Sequence, residues 1–233
     1  LFAMDRAFCM AAGIDWHGHR IKQKHKILYI MGEGFRGITL RFKALQKKYP
    51  HAELTNIKFS RKSINLLDPK AAEQVIEIVR GLDFIPDLII CDTLNRNMIG
   101  DENSTEDMGR FFVSTETLIK ELDSTFLTVH HSGHGDKNRS RGSSSIKAAM
   151  DAEFCVSKNN DGVVFSCTKS KDFGAGHDMN FIITEVELEG EMFFDEDDQK
   201  QITSVYLEYV NASKKEHELK PNLQKILDCL SPI

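Results

Sequence analysis

An α/β fold, with a mostly parallel central sheet covered by helices on both faces and an antiparallel C-terminal extension, is what the sequence predicts. Three observations carry that expectation. Short apolar runs alternate with amphipathic stretches over the first 130 residues. The clearest run, Leu88-Ile89-Ile90-Cys91-Asp92, is apolar on both faces, as in the middle of a parallel sheet. Beyond the serine-rich stretch that ends at Ser145, Asn159-Asn160-Asp161-Gly162 is a hairpin turn signal between two strand-like segments.

Taken in order, LFAMDRAFCMAA at 1–12 places Phe2, Ala3, Ala7, Phe8, Met10 and Ala11 at helical spacing, with Gly13 as the stop. Lys26 to Met31 is a buried strand delivering the tight turn Gly32-Glu33-Gly34. Gly37 to Lys48 is an amphipathic helix with Ile38, Leu40, Phe42 and Leu45 inward and Arg41, Lys43, Lys47 and Lys48 outward. Leu54 to Phe59 is a strand, and Pro69 to Arg80 a helix with proline in its first turn. After the strand ending at Asp92, Asn103-Ser104-Thr105-Glu106 offers caps for a helix to Leu122, and Thr125 to Val129 is the next strand. SGHGDKNRSRGSSS at 132–145 has no apolar residue and is a surface loop. Strands then follow at 152–157 and 163–168, and a further pair at 180–188 and 191–195.

These elements divide the chain into an α/β core at 1–195, a linker at 196–220 overlapping the acidic connector DEDDQKQ at 195–201, and the start of a winged-helix segment at 221–233. The composition, 41% hydrophobic and 28% charged over 233 residues, is that of a globular domain. Lys, Arg, Asp or Glu interrupts every apolar run short of the roughly 20 residues a membrane span needs, so no membrane partner is expected and a cytoplasmic location is. A net charge of −5 argues against coating nucleic acid through bulk positive charge. The five cysteines are scattered without a Cys-x-x-Cys pair, which predicts reduced core residues and no structural zinc.

In an open parallel sheet ligands bind outside the carboxyl ends of the strands. Three polar clusters fall there: Glu33 after ILYIM, Asp92-Thr93 after LIIC, and His130-His131 after FLTV. A carboxylate that polarises water, a second that holds Mg²⁺ through its water shell, and a group that touches a γ-phosphate are the parts of nucleotide hydrolysis.

At these residues the chain resembles a family. GEG (32–34), LIICDT (88–93), GDENSTEDMG (100–109), HHSG (130–133), RGSSSIKAAMDAE (141–153) and CTKSKDF (167–173) are similar, as an ordered set over about residues 1–190, to RecA-like P-loop ATPases of the plasmid and phage RepA hexameric replicative helicases. The resemblance implies ATP and Mg²⁺ as cofactors, single-stranded DNA as partner and a hexameric ring. It implies that Glu33 orients the attacking water, that Asp92 with Thr93 beside it contacts Mg²⁺ through water, and that His130 or His131 senses the γ-phosphate. Arg141, Lys169 and Lys171 are the candidates for charge supplied to a neighbouring subunit's nucleotide, Arg141 first. The loop bearing His134, Lys137, Arg139 and Arg141 is equally suited to DNA phosphates. One element of the family pattern departs: no G-x-x-x-x-G-K-[ST] occurs, and the first helix resembles the one that follows such a loop. The phosphate-cradling loop is therefore expected upstream of Leu1, and this stretch by itself is not expected to hydrolyse ATP.

Two other functions share these features: a RecA or RadA-like recombinase, which forms filaments, and a non-hydrolysing assembly or loading module. Three patterns are set aside. Asp101-x-Asn103-x-Thr105 starts like a calcium loop, but Glu106 stands where glycine is required. His17-Gly18-His19 lacks a third metal ligand and reads as a surface turn. No nucleophile-elbow sequence accompanies the serines and histidines near Asp92.

Overall fold

A computed structural model describes residues 1–32, 35–131, 144–159, 162–172, 174, 176–190, 193–195 and 200–210. Strands β1 (Ile27–Met31), β2 (Ile57–Phe59), β3 (Leu88–Asp92) and β4 (Thr125–Val129) form a parallel sheet in the order β2-β1-β3-β4. Period-two alternation decides what each face covers. Ile27, Tyr29 and Met31 of β1 and Leu88 and Ile90 of β3 pack under helices α1 (Phe2–Ala12) and α2 (Phe35–Lys48). The intervening Ile30, Ile89 and Cys91 pack on the opposite face, against α3 (Ala71–Gly81) and α4 (Thr105–Leu122). Each fully buried Leu, Ile or Phe in these layers contributes roughly 1.5–3 kcal/mol.

The helix ends follow from local chemistry. Gly13, with φ of 71°, closes α1 and donates its N–H to Cys9 O, a left-handed position that glycine occupies without strain. Ser104 caps α4 by accepting from the Asp107 N–H. Burial pushes the Cys9 and Cys91 thiols up to about 12, so both are protonated, inert core groups near neutral pH.

A short helix α5 (Ser144–Ala149) leads into a second, antiparallel sheet of order β10-β7-β6-β5, built from β5 (Ala152–Asn159), β6 (Gly162–Ser170), β7 (Met179–Glu187) and β10 (Thr203–Val210), with β8 (Phe194–Asp195) paired to β9 (Lys200–Gln201) beside it. Helix α1 joins the two sheets. Its Phe2 stacks on Phe165 at 5.3 Å and meets Phe181 edge-on at 4.9 Å, while Cys9 lies with Trp16, Met179 and Leu207 in the same cluster. Within that apolar joint Asp5 is fully buried. Its Oδ2 accepts from Trp16 Nε1 at 2.8 Å and lies 2.7 Å from His17 Nε2.

Several expectations are corrected. His17 is not a surface residue: its ring is 5% exposed and turned onto Asp5. Lys48 does not point outward, because its ammonium donates to Leu207 O across the joint, and Arg41 is half-buried. Strand β2 is shorter than expected, and Ser144 and Ser145, expected to end the surface loop, begin α5. Within the expected linker, residues 203–210 form β10, which pairs with β7 over Thr203↔Glu187 to Val210↔Asn180. The strand expected at 191–195 is present as Phe194–Asp195, paired with β9 and not with β7. The helix expected near 221–230, residues Asn160 and Asp161 of the hairpin turn, and the loop at 132–143 lie outside the described residues.

Removing the Asp5 carboxylate strands two buried donors, a loss of about 3 kcal/mol. Asp5→Ala is therefore expected to lower the urea midpoint strongly at unchanged m-value, and an unchanged midpoint would show that the joint does not depend on this charge.

Candidate functional site

Parallel pairing places three strand ends side by side. Met31 is in register with Asp92, and Asp92 with Val129, so Gly32, Asp92-Thr93 and His130 emerge at one edge of the sheet. Gly32 donates its N–H to Asp92 O at 2.6 Å, tying the first exit to the second. A Cβ at position 32 would lie 2.1 Å from the Cβ of Arg96, so only glycine lets the two chains approach this closely. Glu33, next in the chain, lies outside the described residues, as does Arg141.

Asp92 continues the alternation of Leu88 and Ile90 and so belongs to the α1/α2 face. Tyr29, on the same face of β1, donates its hydroxyl to Asp92 Oδ2. Burial, then the Asp92 charge and this hydrogen bond, raise the Tyr29 phenol far above its ordinary range, while Arg41 of α2 acts in the opposite sense. Thr93, joined to Asp92 by a cis peptide, is buried. Its carbonyl accepts from the N–H groups of Arg96 and Asn97 and from Asn97 Nδ2 at 3.0 Å, which holds the 3-10 turn Leu94–Asn97 against the strand end. Asn97, fully buried, also accepts from the Ile64 N–H at 2.9 Å and fixes the segment leading into α3.

His130 and His131 part company. The His130 ring is 12% exposed, with Nε2 4.0 Å from Oε2 of Glu102, itself buried, whereas His131 is exposed. Glu102 sits in the GDENS loop, which is held by Asp107: its Oδ2 accepts from the Asp101 N–H at 2.9 Å and its Oδ1 from Arg110 at 2.6 Å. A Cβ at Gly100 would come within 2.6 Å of that Oδ2 and 2.5 Å of Leu67 Cδ1, so the loop needs glycine there. Glu102, Tyr29 and Asn97 were not anticipated; the period-two pattern of ILYIM already places Tyr29 opposite the faces of Leu28 and Ile30.

Lys169 lies on β6 and Lys171 just after it. The Lys169 ammonium donates to the carbonyls of Lys147, Ala148 and Met150, so its three protons are spent at the C-terminus of α5. Lys171 pairs with Asp151 at 2.9 Å on the surface.

Among the described residues no group of three or more His, Cys, Asp or Glu side chains could hold a metal. A magnesium ion held mainly by water and phosphate oxygens needs only one or two carboxylates, and Asp92 offers one: its Oδ1 takes no hydrogen bond from the described residues. Asp92 thus suits a hydrated divalent cation. No described helix is long and apolar enough to cross a membrane.

The model of a family described as an AAA domain matches residues 1–137. Among solved structures, the crystal structure of the RadB recombinase is similar to 69% of this chain and 76% of its own, at 15% identity and a TM-score of 0.46. No curated protein matches the chain.

Asp107 yields a pH test. The Asp101 N–H, then Arg110, hold its carboxyl below the ordinary 3.8. A depressed folded value stabilises fully above 3.8 and is lost as pH falls through the lower, folded value. Asp107→Asn is expected to be less stable than the parent at neutral pH in urea titrations, with the gap closing below 3.8; a gap constant with pH would contradict the role of this charge.

Proposed function

The chain belongs to the AAA domain family, and from that premise we propose that the intact protein is an ATP-hydrolysing motor of RepA helicase type, acting on single-stranded DNA as a hexameric ring. One observation carries the reading: adjacent parallel strands bring Asp92, His130 and Gly32, the residue before Glu33, to a single sheet edge, with an Asp92 oxygen left for a hydrated cation. Magnesium and ATP, when bound, supply the divalent charge and the phosphoryl group. Asp92 holds the water shell of the cation through Oδ1. Glu33 takes up the proton of the attacking water and aims it. Thr93 and the 3-10 turn keep the Asp92 strand end in place, and His130, braced near Glu102, carries a change at the phosphate edge into the segment that follows β4.

Arg141 supplies charge to the nucleotide of the neighbouring subunit. Lys169 is less suited, because drawing its ammonium away would uncap α5. Basic side chains at 134–141 follow the DNA backbone with little base preference. The alternative reading is a RecA or RadA-like recombinase, whose filament would replace the ring.

In the full-length protein Glu33→Gln is expected to keep ATP binding and to lose roughly 10²–10⁴ in DNA-stimulated turnover. Normal turnover would remove Glu33 from the mechanism. Arg141→Ala is expected to cost about 10³–10⁵ in turnover and to be rescued in mixed rings containing an intact Arg141, as a residue acting in trans requires. Electron microscopy of the ATP-bound protein showing open helices would replace the helicase by a recombinase.

A further inference from the structure

Resting on the nucleotide-site reading above, we propose that Tyr29 is the positioning residue of Asp92: it spends Oδ2 on the phenol and thereby presents Oδ1 to the water shell of the divalent cation. The placement follows from the sheet. Tyr29 is in register with Ile90, so its ring lies along the α1/α2 face and its hydroxyl reaches two residues farther, to Asp92. The ring is 1% exposed and packed against Phe59 at 5.6 Å, inside the layer that also holds Met4, Phe8 and Leu45. A ring so enclosed cannot swing away, and a buried phenol needs an acceptor. Asp92 is that acceptor.

Fixing one oxygen of a carboxylate fixes the other. A magnesium-type cation keeps several waters and draws on few protein oxygens, so the direction of this single carboxylate governs the fit. Phenylalanine has the same bulk for the apolar layer and lacks only the donor, which separates positioning from packing.

The test is binding of Mn²⁺ to the full-length protein in the presence of ADP, followed by the loss of free-ion EPR signal and independent of turnover. Tyr29→Phe is expected to fold with the parent's circular dichroism and to weaken Mn²⁺ binding about 10- to 100-fold, as loss of a partner behind a metal ligand does. Asp92→Asn added to Tyr29→Phe is expected to cost less than Asp92→Asn alone. Unchanged Mn²⁺ affinity in folded Tyr29→Phe would overturn the proposal while leaving the nucleotide site standing. Failure of Asp92→Asn to weaken Mn²⁺ binding would overturn both. If Tyr29→Phe does not fold, the near-ultraviolet difference spectrum of the parent against Asp92→Asn decides: a tyrosine band supports the bond, and a flat difference overturns it.

Discussion

The parallel register of β1, β3 and β4 is the constraint on which the rest depends. Parallel strands leave the sheet in the same direction, so residues distant in sequence come together at one edge without any contact of their own to draw them there. Register then does what side-chain attraction alone could not: Met31, Asp92 and Val129 are level, and the next residues of all three strands share one rim. The close approach of Gly32 and Arg96 shows how tightly the rim is drawn.

Polar groups inside this protein act as joints between elements. Asp5 holds the Trp16-His17 turn to α1, Asn97 holds the entry to α3 to the end of β3, and Lys169 holds α5 to the hairpin. Each finds a partner outside its own element, and each would be expensive to bury alone. Their placement explains why a layered apolar core is accompanied by specific attachments between its parts.

The parallel half was legible because its signals are local. LIICD and ILYIM are unbroken apolar runs ended by polar residues, and Ser104 with Asp107 advertises the start of α4. Asp92 could be named from its position after such a run. The antiparallel half was less legible. TSVYLEYV forms β10 through pairing with β7, a long-range condition that no window of sequence reports, and an acidic stretch just before it suggested a connector. Charge at the joint misled in the same way: His17 and Lys48 have the composition of surface residues, and only the neighbour each one meets tells otherwise. Tyr29 was legible in principle by alternation, but a tyrosine in a strand announces packing and says nothing of which acceptor its hydroxyl meets.

The position of α1 has a mechanical meaning. Clamped along one side by the parallel sheet and along the other by Phe165, Phe181 and Leu207, and pinned near its start by the Asp5 carboxylate, it is a shared beam between two floors. A push on the end at Leu1 is borne by both floors at once, so the second sheet is part of the load path of the first.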